Sequence, residues 1–344
     1  MGGVTVTTLL ESDLPLAAAP MAGGPSTPAL EAAVTAAGGF AFLPAGYLSA
    51  DAFADRLTAA HATGSPFGVN LFVPQPGSIA PDAYRAYAEA IRDEAESLGV
   101  DLPAEPRHDD DAWREKVALL VAHPVPVVSL TFGLPSAADI TALRAAGSRV
   151  LATVTTPEEA RAAEDLGVDG LVVQGPAAGG HSGTFDPRRT ITDAATADVV
   201  RAVAGVTRLP LVAAGGVTGP VDVRDLVGAG AEAVAVGTLL LRATEAGTTA
   251  THRGALADPA FTTTVLTHSF TGRPARALRN GFVERHHAHA PYGYPELHHL
   301  TRELRRTAAT TGDPHRLHLW AGTGWRSAEE RPAGEIVRDL AAGL

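Results

Sequence analysis

Hydrophobic positions in this chain fall in short unbroken runs instead of alternating with polar ones. Eight runs recur, at 14–19, 40–43, 67–72, 127–131, 149–153, 170–173, 210–213 and 233–236. A strand with one wet face alternates, so unbroken apolar runs of this length read as parallel strands buried on both faces. Longer amphipathic stretches separate them, and several carry their own start and stop signals. Ser26-Thr27-Pro28 leads into a helix over 29–37, which Gly38 and Gly39 end. Ser49 opens a helix over 50–63 before Gly64, and Thr156-Pro157 opens another that Gly167 ends. A hydroxyl at the cap satisfies a free helical N–H, and Pro fits the first turn because its missing N–H is not needed there. Eight strand–helix units in succession predict a (β/α)8 barrel of the TIM type.

Two stretches break the repeat. Between Pro74 and Trp113 lies an extra helical segment, Pro81 to Leu98, then a loop in which Asp109-Asp110-Asp111 reads as a helix start. From 241 to 306 the pattern reads as several helices interrupted by Pro291 and Pro295. The expected organisation is a barrel from 1–240 and 307–344, with 241–306 as a small helical lid domain over its mouth. A closing helix is expected over 332–344.

The chain has 344 residues, 45% of them hydrophobic, enough to bury a core of this size. Its formal net charge of −11 argues against a nucleic-acid partner, because phosphate contacts need clustered Lys and Arg. The absence of cysteine excludes disulfides, thiolate metal sites and thiol nucleophiles. No apolar run reaches membrane-spanning length and no leader pattern opens the chain, so a cytoplasmic protein without a membrane partner is expected.

Candidate chemistry gathers at the ends of the runs, where parallel α/β proteins bind ligands. The 170–173 run ends in Gln174 and then Gly179-Gly180-His181. The two glycines allow close approach to a flat ring or a phosphate, with a reactive imidazole beside it. Gly215-Gly216 and Gly237-Thr238 follow the seventh and eighth runs, the loops from which barrels often build a phosphate site. The first run ends in Ala19-Pro20-Met21-Ala22-Gly23-Gly24. Asn70 places one amide in the third run, where it must bond backbone groups or a ligand such as a flavin edge. A ligand with a phosphate and a flat ring points to FMN.

In this order the motifs resemble the nitronate monooxygenase family, the FMN-dependent enzymes formerly called 2-nitropropane dioxygenases. The matching pieces are 19–24, 67–72, 174–183, 214–216, 237–238, Thr271-Gly-Arg-Pro-Ala-Arg276 and Leu319-Trp-Ala-Gly322. The resemblance implies FMN at the C-terminal mouth of the barrel. It implies cofactor contacts from Met21, Ala22, Asn70, Gln174, Gly179, Gly180, Gly215, Gly216, Gly237 and Thr238. It makes His181 the active-site histidine, which binds the nitronate or takes a proton from a nitroalkane. The reaction implied is oxidation of an alkyl nitronate, or a specialised nitro compound, with O2 to a carbonyl compound and nitrite. A homodimer is left open. Three positions depart from the family pattern. Thr131 stands where many members carry His, Ala177 where many carry Glu, and Thr323 where many carry Gln. The first makes Thr131 a candidate on the substrate side.

The histidines at 286, 287, 289, 298 and 299 do not present a clean metal-binding face, so no metal is expected. Arg302, Arg305 and Arg306 read as a solvated helix face, and Arg273 and Arg276 as surface salt bridges or anion contacts. Tyr292 and Tyr294 read as core packing or lid lining. Two other functions remain in view. One is an FMN-dependent NAD(P)H enoyl-thioester reductase with a similar Gly-Gly-His strand end; the other is a flavin-binding protein without turnover. No Gly-x-Gly-x-x-Gly dinucleotide fingerprint is present.

Overall fold

The computed structural model describes residues 9–75 and 79–344. All eight runs are strands. They are β1 (Leu16–Ala18), β2 (Phe40–Pro44), β3 (Gly68–Phe72), β4 (Val127–Thr131), β5 (Arg149–Val154) and β6 (Gly170–Gln174). After the short β7 (Gly180–His181) come β8 (Leu211–Ala214) and β9 (Ala233–Val236). Every strand but β7 joins one closed parallel barrel, in the order β1-β2-β3-β4-β5-β6-β8-β9. Leu16 to Ala18 of β1 pair with Val234 to Val236 of β9, which closes the ring. The strands are buried on both faces, as their unbroken apolar runs require. Phe40, Phe42, Val127, Leu151 and Val212 fill the barrel with Leu9 and Leu10, while a larger cluster packs strands against helices.

Helix starts follow local chemistry. The Thr27 Oγ1 accepts from Leu30 N at 3.0 Å, the Ser49 Oγ from Ala52 N at 3.2 Å, and the Thr156 Oγ1 from Glu159 N at 3.2 Å. The acidic run departs from expectation. The helix begins at Trp113, and Asp111 and Ala112 before it adopt left-handed φ of 56° and 52°. Asp111 is drawn out of the helix because its carboxylate pairs with the buried Lys116 Nζ at 2.8 Å and accepts from Tyr47 N at 2.9 Å.

The 241–306 stretch is not helical throughout. It contains helices Ala250–Ala257 and Gly281–His286, but also strands β10 (Thr264–Thr267) and β11 (Ala275–Leu278). Its last helix, Glu296–Thr311, runs past the expected boundary. The two strands exist because β7 offers an open edge: Ala275 pairs with His181 and Arg276 with Gly180, forming an antiparallel sheet in the order β10-β11-β7. The Pro81–Ala90 and Arg92–Glu96 helices share a core with this region, in which Tyr84, Tyr87 and Ile91 meet Phe270, Phe282 and Leu300. The extra segment between β3 and β4 therefore packs against the 241–306 stretch.

Candidate active site

One cavity of about 720 Å³ opens at the C-terminal ends of the barrel strands, a size typical of small-molecule sites. Met21 and Ala22 line it after β1, Asn70 on β3, Thr131 on β4 and Gln174 on β6. Gly179, Gly180 and His181 line it from the next loop, Gly215 and Gly216 after β8, and Gly237 and Thr238 after β9. The fold thus gathers every site residue expected from the sequence around one space. They come from all parts of the first 238 residues because parallel strands present their C-terminal ends on one face.

His181 is held from three sides. The β7–β11 pairing fixes its backbone, and Gln174 donates from Nε2 to its carbonyl at 3.0 Å while accepting from Gly183 N at 2.7 Å. Gln174 therefore spends much of its amide on positioning the histidine loop. The His181 Nε2 lies 2.8 Å from the Thr271 Oγ1. Burial pushes the imidazole pKa down to about 3, and the charges of Arg273 and Arg305 add to the shift. The ring is neutral at physiological pH. Glu159 secures the far end of this loop, accepting from Thr184 Oγ1 at 2.9 Å and Phe185 N at 2.8 Å.

Aromatic side chains wall the space in front of His181. Its ring centroid lies 5.7 Å from Phe132, 5.8 Å from Tyr294 and 5.2 Å from Trp320. Tyr47 stacks on His298 at 4.2 Å. Phe132 and Tyr47 hold left-handed φ of 83° and 68°, a strained region for bulky residues that persists only where the surroundings enforce it. Arg273 caps Phe132 with its guanidinium 4.1 Å from the ring centroid, and the Asp111–Lys116 pair holds the Tyr47 backbone. Neither aromatic was marked by the sequence, although Phe132 directly follows β4 and Tyr47 comes three residues after β2.

Several expectations change. Arg305 is not on a solvated face: it is 6% exposed and lines the cavity. Arg273 is fully buried, donating to the Ser182 and Thr184 carbonyls and to the Gln75 Oε1, so it braces the histidine loop rather than a surface. Arg276 is also buried and donates to the Pro176 carbonyl at 2.8 Å, while keeping the expected ion pair with the exposed Asp193 at 3.6 Å. The histidine series disperses: His286 meets Glu94, His287 meets Thr267, and His299 meets Asp109. Tyr294 faces Phe132 and His181, and Tyr292 stacks on His268.

The glycines divide by role. A Cβ on Gly179 would come within 2.5 Å of Gly322 N, and one on Gly215 within 2.8 Å of Ala178 N, so these two serve close chain packing. A Cβ on Gly180 would meet nothing within 4 Å, and one on Gly237 would approach only Ala19 and Met21. These two face the open cavity. Ala177 and Thr323, two of the departures, touch through a 3.0 Å bond from Thr323 N to the Ala177 carbonyl. Polar atoms suited to a ligand remain on the wall. Thr248 Oγ1, His252 Nε2 and His318 Nδ1 are buried without a hydrogen-bond partner among the described residues. A flat ligand with many heteroatoms and a phosphate fits this mixture of glycine backbone, amides and hydroxyls.

Fold and site define a barrel with a glycine-lined cavity at its strand ends and a shielded histidine. The chain belongs to the nitronate monooxygenase family, whose model matches residues 6–343. A probable nitronate monooxygenase from Staphylococcus aureus (strain Newman) is 31% identical, over 97% of this chain and 95% of that protein. Among solved structures, nitroalkane oxidase from Streptomyces ansochromogenes is 44% identical with a TM-score of 0.92, covering 97% of this chain and 96% of that one. FabK from Thermotoga maritima is 25% identical with a TM-score of 0.75, covering 99% and 95%. The chain is thus a flavin-dependent oxidoreductase of this family. No helix among the described residues is long and apolar enough to cross a membrane.

Proposed function

We propose that this protein binds FMN in the barrel mouth and oxidises alkyl nitronates, or a nitro compound that yields one, with O2 to a carbonyl compound and nitrite. The observation that carries the reading is the neutral, shielded His181 facing the glycine-lined cavity between β6 and β9. Gly215, Gly216, Gly237 and Thr238 would hold the phosphate end. Met21, Ala22, Asn70, Gln174, Gly179 and Gly180 would border the ring system. The flavin supplies the electron-transfer and O2 chemistry, and the protein supplies placement and electrostatics.

The residues divide the remaining work. His181 accepts the proton from the carbon beside a nitro group, or binds the preformed nitronate. A base with so low a pKa is weak alone, but an anion formed beside it stabilises the protonated ring. Thr271 and Gln174 hold the imidazole and its loop. Phe132, Tyr294 and Trp320 keep water from the reacting carbon. The segment 241–306, packed on the 81–98 helices, serves as the cap over the mouth.

The test is the visible spectrum of the purified protein as a small alkyl nitronate is added without oxygen, followed by admission of air. A flavin band that changes anaerobically, recovers in air and leaves nitrite supports the reading. The His181→Ala variant should retain flavin and lose at least about 100-fold in turnover of a neutral nitroalkane. A flavin band indifferent to nitronate but bleached by NAD(P)H and restored by an enoyl thioester would replace this reading with the reductase. A band indifferent to both would leave a flavin-binding protein without turnover.

A further inference from the structure

Arg305 is a buried cation without a counter-ion. It lies on the helix Glu296–Thr311, is 6% exposed and lines the cavity. Among the described residues no carboxylate comes within ion-pair distance of it. Its Nε donates to the Thr301 Oγ1 at 3.0 Å, and its Nη2 donates to the His298 carbonyl at 2.9 Å and to the His298 Nδ1 at 3.2 Å. The Nη1 has no protein partner among the described residues. A guanidinium taken out of water needs compensating charge, and evolved interiors rarely leave one without it.

The groups around Arg305 offer none. Those that feel its charge are Tyr47, Tyr294, His181, His298, His318 and Arg302, all neutral or cationic. The Arg305 charge acts on His181, and a chain of ring contacts links the two. Arg305 bonds His298, whose ring lies 6.2 Å from Tyr294, and Tyr294 lies 5.8 Å from His181. On the barrel side the Thr131 hydroxyl is already engaged, accepting from Asn70 Nδ2 at 2.9 Å and lying 3.3 Å from the Thr153 hydroxyl. It brings no charge to the cavity.

We propose that Arg305 binds the anionic oxygens of the substrate's nitronate group, so that the cap helix supplies the positive charge that Thr131 on β4 does not. The assignment rests on the nitronate reading above. A nitronate carries two anionic oxygens on one planar nitrogen, and the Nη1 left without a protein partner can donate a charge-assisted hydrogen bond to one of them. His181 then handles the proton and Arg305 the charge.

The experiment compares flavin-loaded wild type with Arg305→Met and Arg305→Lys. Calorimetric titration with sodium nitrate, an unreactive planar anion, reads charge recognition. Steady-state kinetics on a nitronate and on its neutral nitroalkane read its use in turnover. In the Met variant the KM for nitronate and the nitrate dissociation constant should each rise about tenfold or more, the loss of a charge-assisted hydrogen bond. The value of kcat should stay within about threefold, and the KM for the neutral nitroalkane should move far less. Lys should restore part of both losses. Unchanged nitrate binding and an unchanged KM in the Met variant would reduce Arg305 to a brace for His298 and overturn the assignment. Should the Met variant not fold, the Lys variant carries the test: KM and nitrate affinity equal to wild type would overturn it, because the shorter Lys places its ammonium short of the Nη1 position. Wild type that ignores nitronate yet loses nitrate binding on Arg305→Met would sink the nitronate reading and leave the anion site standing.

Discussion

The Thr131 hydroxyl shows how much one side chain decides in this site. It accepts from Asn70 Nδ2 beside the Ser129 hydroxyl, so the amide nitrogen is committed to β4 and its oxygen is left for the cavity. An imidazole in place of Thr131 would add a second donor near the substrate. Thr131→His should raise kcat/KM on simple nitronates about tenfold, and an unchanged value would show that this position does not face the substrate. The types and positions of His181, Asn70 and Thr131 were legible in the sequence because Thr131 ends the fourth apolar run, Asn70 interrupts the third and His181 follows the Gly-rich turn after the sixth. The role of Gln174 was not. Its amide is drawn into the histidine loop by the His181 carbonyl and the Gly183 N–H, groups that only the folded turn places beside it. Arg305 was misread for a similar reason: an Arg-rich stretch of helix gives no sign of which Arg turns inward.

At the scale of elements, the antiparallel trio β10-β11-β7 was invisible in the sequence. β7 is two residues long, and its partner β11 begins at Ala275. Such a pairing gains its bonds from tertiary contact, not from local propensity. A second link joins the Arg92–Glu96 helix to the cap. Glu94 is buried and meets Arg285 at 2.5 Å, His286 at 2.9 Å and Arg316 at 2.7 Å. Burial alone would raise its pKa. The hydrogen bonds from Arg285 and His286, with the charges of Arg285 and Arg316, outweigh that and hold it below the ordinary value. A depressed carboxylate contributes stability above its unfolded pKa, near 4.5, and loses it as pH falls below that value. Glu94→Gln should cost about 2–3 kcal/mol at neutral pH, the low end for a broken buried pair because Arg285 is half exposed. Denaturant melts would read it, and the gap to wild type should shrink toward pH 3. A gap that persists there would mean that packing, not charge, joins these elements.

At the scale of the whole molecule, the cavity is surrounded by imidazoles that folding keeps neutral. Burial lowers the pKa of His181 to about 3 and of His252 to about 4, and places His298 and His318 well below their ordinary value. In the unfolded chain these side chains titrate near the usual value of about 6.5, so acidification adds protons to the unfolded state first. The stability from keeping them neutral is complete above that pH and is lost as pH falls from there toward 4 and then 3. The melting temperature should drop by about 5 °C or more between pH 7 and pH 5. A flat profile over that interval would mean that these rings are not buried as described.

The barrel itself was determined by the sequence alone. Eight apolar runs, each followed by a capped helix, can bury both strand faces only by closing on themselves under helices, and the strand ends then share one face. That fixed the cofactor cavity and the place of His181. What only the tertiary structure decided is what surrounds His181 and its cavity. Arg273, Arg305, Thr271, Tyr294 and Trp320 lie 90 to 139 positions further along the chain. They come to this side of the molecule because the chain after the eighth barrel strand folds back and pairs β11 with β7. Local pattern records which face of an element is buried, but not which distant face it is buried against.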